Sequence, residues 1–501
     1  MTSKIINIKN IDKLPKKSIL AYGHFTTIHA GHIRYLRHAK KLGSNLVVAL
    51  LGDDKRIGDK KYAFKQKERA EALSLLSIAD YIVLMENISL KFLSQKLYPK
   101  VLVLGKEFEN TREKDIKESI EFQLKNKCEV HFHAGDINYA SADLLKNSES
   151  ELSLSRKKLF VETCSREGLN KERLINLIKK WGDTHLLVVG DSIIDQYAAC
   201  EPLGLSAEAP VVVVKELEKR NFLGGAAIVA NHVKTLGAKC TFISVIGEDD
   251  EAKYLEQQLS ERNIDHSLII DNSRPTTFKK RYVVENQKLF RVSKLEEHAL
   301  DKEIEEKIIL QLRKYASSCD GIIISDFVYG VITKKIIQEI KDLSIKYKLM
   351  IFGDVQCSSQ IGDITNFKDF SLLCPNEKET RIALKDNESG LEKLSQKIIK
   401  ITNTKRLIMK LGADGFIAYD NSGSRIKTQS FPALSVNPLD VAGAGDSLLA
   451  VMAIGLSSNQ TLISTSAIGC CMASIAVETM GNSPISKEKL IEKLINVFQF
   501  A

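Results

Sequence analysis

Short apolar runs alternate with stretches of helical spacing along most of this 501-residue chain. In the N-terminal part helices are predicted from about Gly31 and from about Gln66 to Ile78. The apolar runs around them are Ile19 to Tyr22, Leu46 to Leu51, Tyr81 to Leu84, Val101 to Leu104 and Glu129 to His133. Short apolar runs between helices are typical of parallel strands covered on both faces. Residues 19–145 are therefore predicted to form a doubly wound α/β domain.

A second series of the same kind occupies the rest of the chain. Its apolar runs are Leu186 to Val189, Cys240 to Val245, Gly321 to Ser325, Met350 to Gly353, Ser371 to Cys374 and Leu407 to Lys410. This alternation predicts a second parallel, doubly wound sheet. Two further strands, Pro210 to Val214 and Phe278 to Val292, lack partner helices and are predicted to form a small β lid over an active site. The fold class is α/β, with two doubly wound domains.

The boundary between the two series is a polar, serine-rich stretch, KNSESELSLSRKK, at residues 146–158. A helix with apolar residues at helical spacing follows, from about Asn170 to Trp181. The predicted organisation is a first domain over residues 1–148, a linker over 149–168 and a second domain over 169–501.

Charge and cysteine content indicate which partners and compartment to expect. The net charge of +9 comes mainly from lysines scattered among glutamates, without a basic block, so no nucleic-acid partner is predicted. A nucleic-acid-binding protein would instead show strongly salt-dependent binding. Nine cysteines without a CxxC pair fit reduced thiols, and no apolar run approaches 18 residues. The sequence predicts a cytoplasmic protein with no membrane partner.

The segment VNPLDVAGAGDSLLA, from Val436 to Ala450, has the pattern of a phosphoryl-transfer site. Its small residues Ala442, Gly443, Ala444 and Gly445 would let backbone N–H groups surround an anionic oxygen at a helix N-terminus. Asp446 follows directly and could take a proton from a hydroxyl group. Two alternatives stay open: the small residues serve only close helix packing, or Asp446 merely caps the helix.

A second phosphate motif lies near the N-terminus, in YGHFTTIHAGHIRYL from Tyr22 onwards. His29 and His32 are three residues apart where a helix begins, which places both imidazoles on one side of its first turn. Beside free N–H donors, this pair could hold a triphosphate and stabilise charge on an attacked α-phosphate. The alternatives are a zinc pair or two surface histidines.

These N-terminal residues resemble the nucleotidyltransferase superfamily marked by Gly-x-Phe-Asp-x-x-His-x-Gly-His. Gly23, Phe25, His29, Gly31 and His32 match the motif, and Thr26 replaces its acid. The resemblance implies that His29 and His32 are catalytic. It also implies a nucleotide-binding set formed by Gly23, Phe25, Gly31, Arg69 and Ser141, with Ser141 in YASAD as the remnant of the serine/threonine motif.

The C-terminal part resembles the ribokinase-like sugar kinases, because several of their motifs occur in the right order over residues 185–485. The resemblance implies that Asp446 is the general base and that Ala442 to Gly445 form the anion hole. It places the sugar-binding residues at Asp191, Asp195, Gly224 and Gly225. It places nucleotide-binding residues at Asn376, Glu379, Lys410 and Gly412, with Asn376 and Glu379 organising Mg²⁺ through phosphates or water. ATP is the implied co-substrate.

Within these kinases, Leu205 to Lys215 and Lys279 to Glu297 look like the heptose-7-phosphate kinase branch. Lys279, Arg281 and Arg291 would then balance a second substrate phosphate. Their alternative role is that of solvated strand edges.

Together the halves resemble the bifunctional family of heptose-7-phosphate kinases and heptose-1-phosphate adenylyltransferases, with the domain order reversed. The resemblance implies sugar phosphate and nucleotide substrates, an ADP-heptose product, an external sugar-bisphosphate phosphatase and a homo-oligomer formed through the lid.

Two alternatives to this function are open. The segment Lys60 to Phe64 also resembles glycerol-3-phosphate cytidylyltransferases, which would make CTP the N-terminal substrate. Because Thr26 stands where the motif has an acid, it also stays open that one domain is an inactive binding module.

Overall fold

The computed structural model describes residues 4–26, 28, 30–53, 64–86, 88–105, 108, 113–133, 149–208, 211–285, 287–356, 362–423 and 425–499. The chain divides into two compact units. One comprises Met1–Leu145 with Lys385–Lys397, and the other comprises Lys146–Leu384 with Ile398–Ala501.

The first unit is built on a parallel sheet. Its described strands are β1 (Lys4–Ile6), β2 (Ile19–Gly23), β3 (Leu46–Leu51), β4 (Tyr81–Met85), β5 (Val101–Gly105) and β6 (Glu129–His133). Its described helices are α1 (Ala30–Lys41), α2 (Gln66–Leu75), α3 (Leu90–Leu97) and α4 (Lys114–Lys125). The strands are parallel in the order β1-β4-β3-β2-β5-β6. The doubly wound prediction is confirmed: β2 to β6 begin where the five apolar runs begin, whereas β1 was not predicted.

Both faces of this sheet are buried because side chains alternate across each strand. Leu20 and Tyr22 contribute to the core on one face, and Ile19 and Ala21 contribute to the core on the other. The strand order places β2 between β3 and β5, so the chain reverses direction across the sheet beside β2. Ligands of open α/β sheets bind at this kind of switch point, outside the carboxyl ends of the strands.

The second unit contains a larger main sheet and a small one. Its described strands are β7 (His185–Gly190), β8 (Ser192–Leu205), β9 (Val212–Gly225), β10 (Lys239–Ile246), β11 (Asp265–Ile270), β12 (Thr277–Val284), β13 (Gln287–Lys294), β14 (Gly321–Asp326), β15 (Met350–Val355), β16 (Leu372–Leu373), β17 (Arg406–Lys410), β18 (Phe416–Asp420) and β19 (Lys427–Phe431). The main sheet has the order β11-β10-β7-β14-β15-β16-β17-β18-β19. It is parallel up to β17, and β18 and β19 are added antiparallel.

Helices separate most of these strands, as the alternation predicts. The helices after residue 148 are α5 (Glu149–Arg166), α6 (Lys171–Lys179), α7 (Ala226–Thr235), α8 (Asp250–Glu261), α9 (Lys302–Ala316), α10 (Lys334–Tyr347), α11 (Glu377–Leu384), α12 (Leu391–Thr402), α13 (Ala444–Ser457), α14 (Leu462–Val477) and α15 (Lys487–Phe498). Helix α13 is buried along its whole length from Asp446 to Leu456. A helix that is apolar on all sides lies in a core, and α13 therefore brings Asp446 into the interior.

The small sheet is the predicted lid, and it is larger than the sequence indicated. Its order is β13-β12-β8-β9, so the long strands β8 and β9 join the two strands around residues 278–292. Strand β8 pairs in parallel with β12 and antiparallel with β9. Strand β8 directly follows β7 of the main sheet, so Asp191 lies between the two sheets and Asp195 lies on the lid strand β8.

The structure differs from the predicted linker. Residues Glu149–Arg166 form α5, and its Phe160 and Cys164 are fully buried in the core of the second unit. Arg156 donates to the carbonyl oxygens of Ala433 and Ser435 at 3.1 and 2.7 Å. The serine-rich stretch is part of this helix and not a linker. The helix was not predicted because its few buried apolar residues are widely spaced. In the described residues no helix has both the length and the apolar character to cross a membrane.

Candidate active sites

The turn before α13 presents backbone donors at the start of a buried helix. Gly443 is the N-cap residue, with φ at 77°, and α13 begins at Ala444. Asp446 is the third residue of the helix, so the alternative that it is the N-cap is wrong. Because the first N–H groups of a helix have no intrahelical partner, Gly443, Ala444 and Gly445 present donors and the positive end of the helix dipole.

The structure changes the prediction for Ala442. Its N–H donates to Asp440 Oδ1 at 2.9 Å. The anion hole predicted over residues 442–445 is therefore reduced to the donors that follow Ala442.

Asp446 has the environment of a general base. It is 4% exposed, and its Oδ1 accepts a hydrogen bond from Gln356 Nε2 at 3.1 Å. Burial and then the negative charge of Asp354 raise the pKa of Asp446 to about 7, although Lys410 and Lys279 partly oppose this shift. A carboxylate with a pKa near neutrality can both accept and hold a proton at physiological pH.

A buried ion pair lies beside Asp446. Lys410 Nζ contacts both oxygens of Asp354, at 2.9 and 2.7 Å. Burial raises the pKa of Asp354 to about 6, with Lys410 opposing the shift and Glu379 adding to it. Lys410 is the last residue of β17 and Asp354 lies near the end of β15, so the carboxyl ends of two strands on either side of the short β16 bring the pair together.

The predicted Asn-x-x-Glu motif forms the start of α11. Asn376 N–H donates to Glu379 Oε2 at 2.7 Å, and Glu379 N–H donates to Asn376 Oδ1 at 2.8 Å. This reciprocal arrangement is a capping box, which stabilises the helix start. Amide and carboxylate oxygens are also ligand types that Mg²⁺ accepts.

A cavity of about 470 Å³ connects these groups. Asn376, Glu379, Lys410 and Gly412 line one part of it, together with the turn at residues 441–445. Its apolar lining residues include Phe416, Pro432, Leu434, Val436, Ala473 and Val477. The volume lies within the range of small-molecule pockets, and an apolar wall next to a set of phosphate donors suits a nucleotide.

Asp195 faces a polar cluster on the lid side of the site. Its carboxylate accepts from Arg281 Nη1 and, at 2.9 Å, from Asn482 Nδ2. A Cβ atom at Gly224 would lie 2.6 Å from Asp195 Oδ2, so glycine leaves room for the carboxylate. Gly225 is the N-cap residue of α7 next to it.

Asp191 is buried beside a second carboxyl group, and its role in sugar binding stays a prediction. It is 1% exposed, and its Oδ2 accepts from the N–H of Phe327 at 2.7 Å. Burial raises its pKa, and it lies next to Asp326, whose pKa burial and Asp191 raise to about 8. Burial and the mutual repulsion of the two carboxyl groups favour protonation of this pair, which lies where β7 and β14 end.

The lid brings the three predicted basic residues into one sheet. Lys279 is 2% exposed, and its Nζ lies 5.1 and 4.9 Å from the ring centroids of Phe327 and Tyr329. Arg281 and Arg291 lie directly opposite each other on β12 and β13. Arg281 is paired with Asp195, which offsets part of the repulsion between the two arginines. Because Lys279 is buried, the alternative of an ordinary solvated strand edge does not fit it.

In the first unit, the motif residues lie at the switch point beside β2. Gly23 ends β2, and Gly31 and His32 lie in the first turn of α1. Phe25 is buried with φ at 47°, and its ring centroid lies 5.0 Å from that of His32. His29 and Ser141 lie outside the described residues, as does the Lys60 to Phe64 segment before Phe64.

Arg69 has a structural position that the sequence did not indicate. It is 2% exposed, and its guanidinium donates to the carbonyl oxygens of Phe64, His24 and Leu51. It also pairs with Asp53 at 2.9 Å. These contacts hold the loops after β2 and β3 together, and the role of Arg69 in nucleotide binding stays a prediction.

Several residues around the second site were missed in the sequence. Asp354 and Gln356 follow an apolar strand and could have been found as polar residues at the carboxyl end of β15. Asn482 and Lys288 carry no such signal, because only the tertiary structure brings them to the site. Asp440 lies within the segment Val436 to Ala450, but no separate role was predicted for it. Among the described residues, no three His, Cys, Asp or Glu side chains are arranged to hold a metal ion.

Comparisons with known proteins agree with the two units. Residues 183–489 match the family model of pfkB family carbohydrate kinases, and residues 20–131 match the cytidylyltransferase-like family model. The fold of the second unit is similar to that of phosphofructokinase-2 from Escherichia coli in complex with substrates and products. That match has 18% identity, a TM-score of 0.53 and covers 63% of this chain and 99% of the solved chain.

Curated relatives are called bifunctional protein HldE. The protein from Helicobacter acinonychis is 31% identical, over 63% of this chain and 70% of the relative. The protein from Trichlorobacter lovleyi is 28% identical, over 64% of this chain. The match covers 65% of that relative, so this chain spans slightly less than two thirds of its length. The chain belongs to the pfkB family of carbohydrate kinases and to the family of bifunctional HldE proteins, with its cytidylyltransferase-like segment placed before the kinase segment.

Proposed function

We propose that the second unit is an ATP-dependent kinase that phosphorylates a hydroxyl group of a sugar phosphate. The observation that carries this proposal is Asp446, a buried carboxylate with its pKa raised to about 7 at the start of a helix whose first N–H groups can receive an anion. The volume of the cavity beside Asp446, and its apolar wall next to phosphate donors, suit a nucleotide.

The residues of the site divide the reaction between them. Asp446 takes the proton of the attacking hydroxyl, while Asp195, held by Arg281 and Asn482, orients the sugar. The N–H groups after Ala442 stabilise the phosphate charge, and Lys410 lies near enough to assist them. Mg²⁺ bound with ATP would neutralise phosphate charge, and Asn376 and Glu379 would hold it through phosphate oxygens or water.

The lid favours a substrate that carries a phosphate of its own. Lys279 is buried against two aromatic rings, and Arg281 faces Arg291 across the strands. A phosphate bound between these cations would be balanced by them, with Arg281 shared between the phosphate and Asp195. Together with the family of HldE proteins, this favours D-glycero-D-manno-heptose 7-phosphate, phosphorylated at C1.

The first unit would transfer a nucleotidyl group to the sugar 1-phosphate and release pyrophosphate. This proposal is supported by the position of Gly23, Gly31 and His32 at the switch point of a parallel sheet. The product with ATP is an ADP-heptose. CTP with another sugar or polyol phosphate is the second candidate, because the matching family model is cytidylyltransferase-like.

Two assays test these activities. ADP formation is measured with heptose 7-phosphate and ATP, and pyrophosphate release is measured with heptose 1-phosphate and either ATP or CTP. Asp446→Asn is expected to abolish ADP formation while sparing pyrophosphate release, and the double variant His29→Ala with His32→Ala is expected to do the reverse. Silence of the first unit with both nucleotides would support the alternative that it is a binding module.

A separate phosphatase should be needed between the two steps, because the kinase product carries two phosphates and the transferase needs only the one at C1. The purified protein with heptose 7-phosphate and ATP should therefore form ADP-heptose only after a sugar-bisphosphate phosphatase is added. Formation without a phosphatase would overturn this order of reactions. The free thiols of the described cysteines support a cytoplasmic location.

The lid also supports a homo-oligomer. Leu203, Leu205, Val212, Leu217, Phe290 and Val292 on its strands are each more than half exposed. Apolar patches of this kind are typical of interaction surfaces. Light scattering should show an oligomer that Leu205→Glu with Phe290→Glu converts to a monomer, whereas Leu75→Glu, at an exposed leucine on α2, should not.

A further inference from the structure

Asp440 is a buried carboxylate on which four donors converge. Its side chain is fully buried and accepts from Tyr197 Oη at 2.7 Å, Lys288 Nζ at 2.6 Å, Ala442 N at 2.9 Å and Gly481 N at 3.3 Å. Burial raises the pKa of Asp440, but the contacts with Lys288, Tyr197 and Ala442 outweigh burial and hold the pKa below its usual range. Asp440 is therefore ionised at neutral pH.

The four donors come from separate parts of the second unit. Lys288 lies on β13 and Tyr197 on β8, and both of these strands belong to the lid. Ala442 lies in the turn that leads into α13, two residues after Asp440. The carboxylate of Asp440 thus joins the lid directly to the turn whose N–H groups face the phosphate.

Lys288 is the cation in this cluster and its most accessible member. Its side chain is 40% exposed, and its Nζ also lies 5.5 Å from the ring centroid of Tyr197. The remaining donors are a neutral hydroxyl and two backbone N–H groups. Removing the lysine charge would leave the buried carboxylate without its hydrogen-bonded counter-charge and with only the charge interaction with Arg281, which is more costly than the loss of one neutral hydrogen bond. A strained Asp440 would shift the turn through its bond to Ala442.

We propose that Lys288 is a positioning residue that holds the phosphate-binding turn in its active geometry through Asp440. This inference rests on the proposed kinase function. The hydrogen bond and ion pair described for Lys288 go to Asp440 and not to Asp446. Lys288 acts at a distance because a displacement of about 1 Å in donor groups can lower a rate up to roughly a hundredfold.

Matched variants separate this role from a general effect on the lid. Lys288→Met removes the charge and keeps the length of the side chain, and Lys288→Arg keeps the charge. Lys280→Met is the control, because Lys280 lies on the neighbouring lid strand and pairs with Glu216 within the lid at 2.5 Å. Asp440→Asn removes the proposed intermediary.

The first measurement needs no substrate. Hydrogen exchange is followed in the full-length protein for peptides that cover residues 436–447. Exchange at the turn is expected to be faster in Lys288→Met, to return to the original rate in Lys288→Arg and to be unchanged in Lys280→Met. Equal exchange in Lys288→Met and the unmodified protein would overturn the proposal, whatever the substrate of the enzyme is.

The second measurement is the kinase reaction with ATP and a sugar phosphate. Lys288→Met is expected to lower kcat by about tenfold to a hundredfold and to leave KM for ATP nearly unchanged. The same substitution should have little further effect in the Asp440→Asn protein. Equal losses in Lys288→Met and Lys280→Met would overturn the proposal. An unmodified protein that phosphorylates no sugar phosphate would instead refute the proposed function, and hydrogen exchange would still decide the role of Lys288.

Discussion

Asn482 donates a hydrogen bond from Nδ2 to Asp195 Oδ2 at 2.9 Å. Its Oδ1 faces the turn at Gly443. The residue is 7% exposed, and its Oδ1 is buried without a hydrogen-bond partner in the structure. Asn482 therefore lies between the acid proposed to orient the sugar and the turn proposed to receive the phosphate. Its position links the two halves of the kinase site.

Replacing Asn482 by alanine should weaken the binding of the sugar substrate. Asp195 would lose one of its two described donors, and the loss of a hydrogen bond to a charged group costs about 1.5–3 kcal/mol. We expect KM for the sugar phosphate to rise at least tenfold while KM for ATP changes little. Steady-state kinetics with each substrate varied in turn provide the measurement. The neighbouring Ser483→Ala is the control, and an equal rise in both KM values would contradict the assignment.

Gly443→Ala should inactivate the kinase with a modest loss of stability. Residue 443 has φ at 77°, and a Cβ atom there would lie 2.5 Å from Asn482 Oδ1. Backbone strain of this kind costs about 1–3 kcal/mol, and the clash would displace the turn. Gly168→Ala is a matched control, because its φ of 67° is similar but a Cβ atom would meet nothing within 4 Å. Urea unfolding should show comparable losses in both variants, whereas ADP formation should fall only in Gly443→Ala.

The kinase rate should fall below about pH 7. The pKa of Asp446 is raised to about 7, chiefly by burial, and only its ionised form can accept the hydroxyl proton. The rate should therefore decrease tenfold for each pH unit below the pKa. Lys410 lowers the pKa of Asp446. Lys410→Met should therefore shift the acidic limb of the pH–rate profile, where the rate decreases, to higher pH. A limb that stays in place in Lys410→Met would argue that another group titrates. Asp446→Asn should lower kcat by about 10²- to 10⁴-fold above pH 7, and its rate should lack the tenfold decrease per pH unit below pH 7.

The Lys410–Asp354 pair should also contribute to stability. The Asp354 side chain is 1% exposed, so removal of Lys410 leaves a buried carboxylate without its counter-charge. Breaking such a pair costs about 3–5 kcal/mol, and we expect this loss in the free energy of unfolding of Lys410→Met from urea titration. Lys341→Met removes a more exposed pair with Asp369 and should cost less than 1 kcal/mol. Equal losses of unfolding free energy in Lys410→Met and Lys341→Met would show that burial of the Lys410–Asp354 pair adds nothing to stability.

The strand series and the turn at Asp446 could be predicted because their signals are local. Val101 to Leu104 is a continuous apolar run. Such a run indicates a buried strand whichever neighbouring strand it pairs with. The small residues before Asp446 likewise indicate a turn with exposed N–H groups. The helix over Glu149–Arg166 was missed, because its polar and serine-rich composition hides the two residues, Phe160 and Cys164, that bury it.

The alternation of apolar runs with helical stretches determined the α/β class of this protein, its two mainly parallel sheets and part of its lid, and the motif around Asp446 with its family resemblance identified the proposed base. Only the tertiary structure decided how each side chain is used. Asp191 and Asp195 are equivalent acids in the sequence, yet one is buried beside Asp326 and the other meets Arg281 and Asn482. The reason is physical: burial, charge and hydrogen bonding at a carboxylate depend on residues up to 287 positions away in the chain, which no local pattern records.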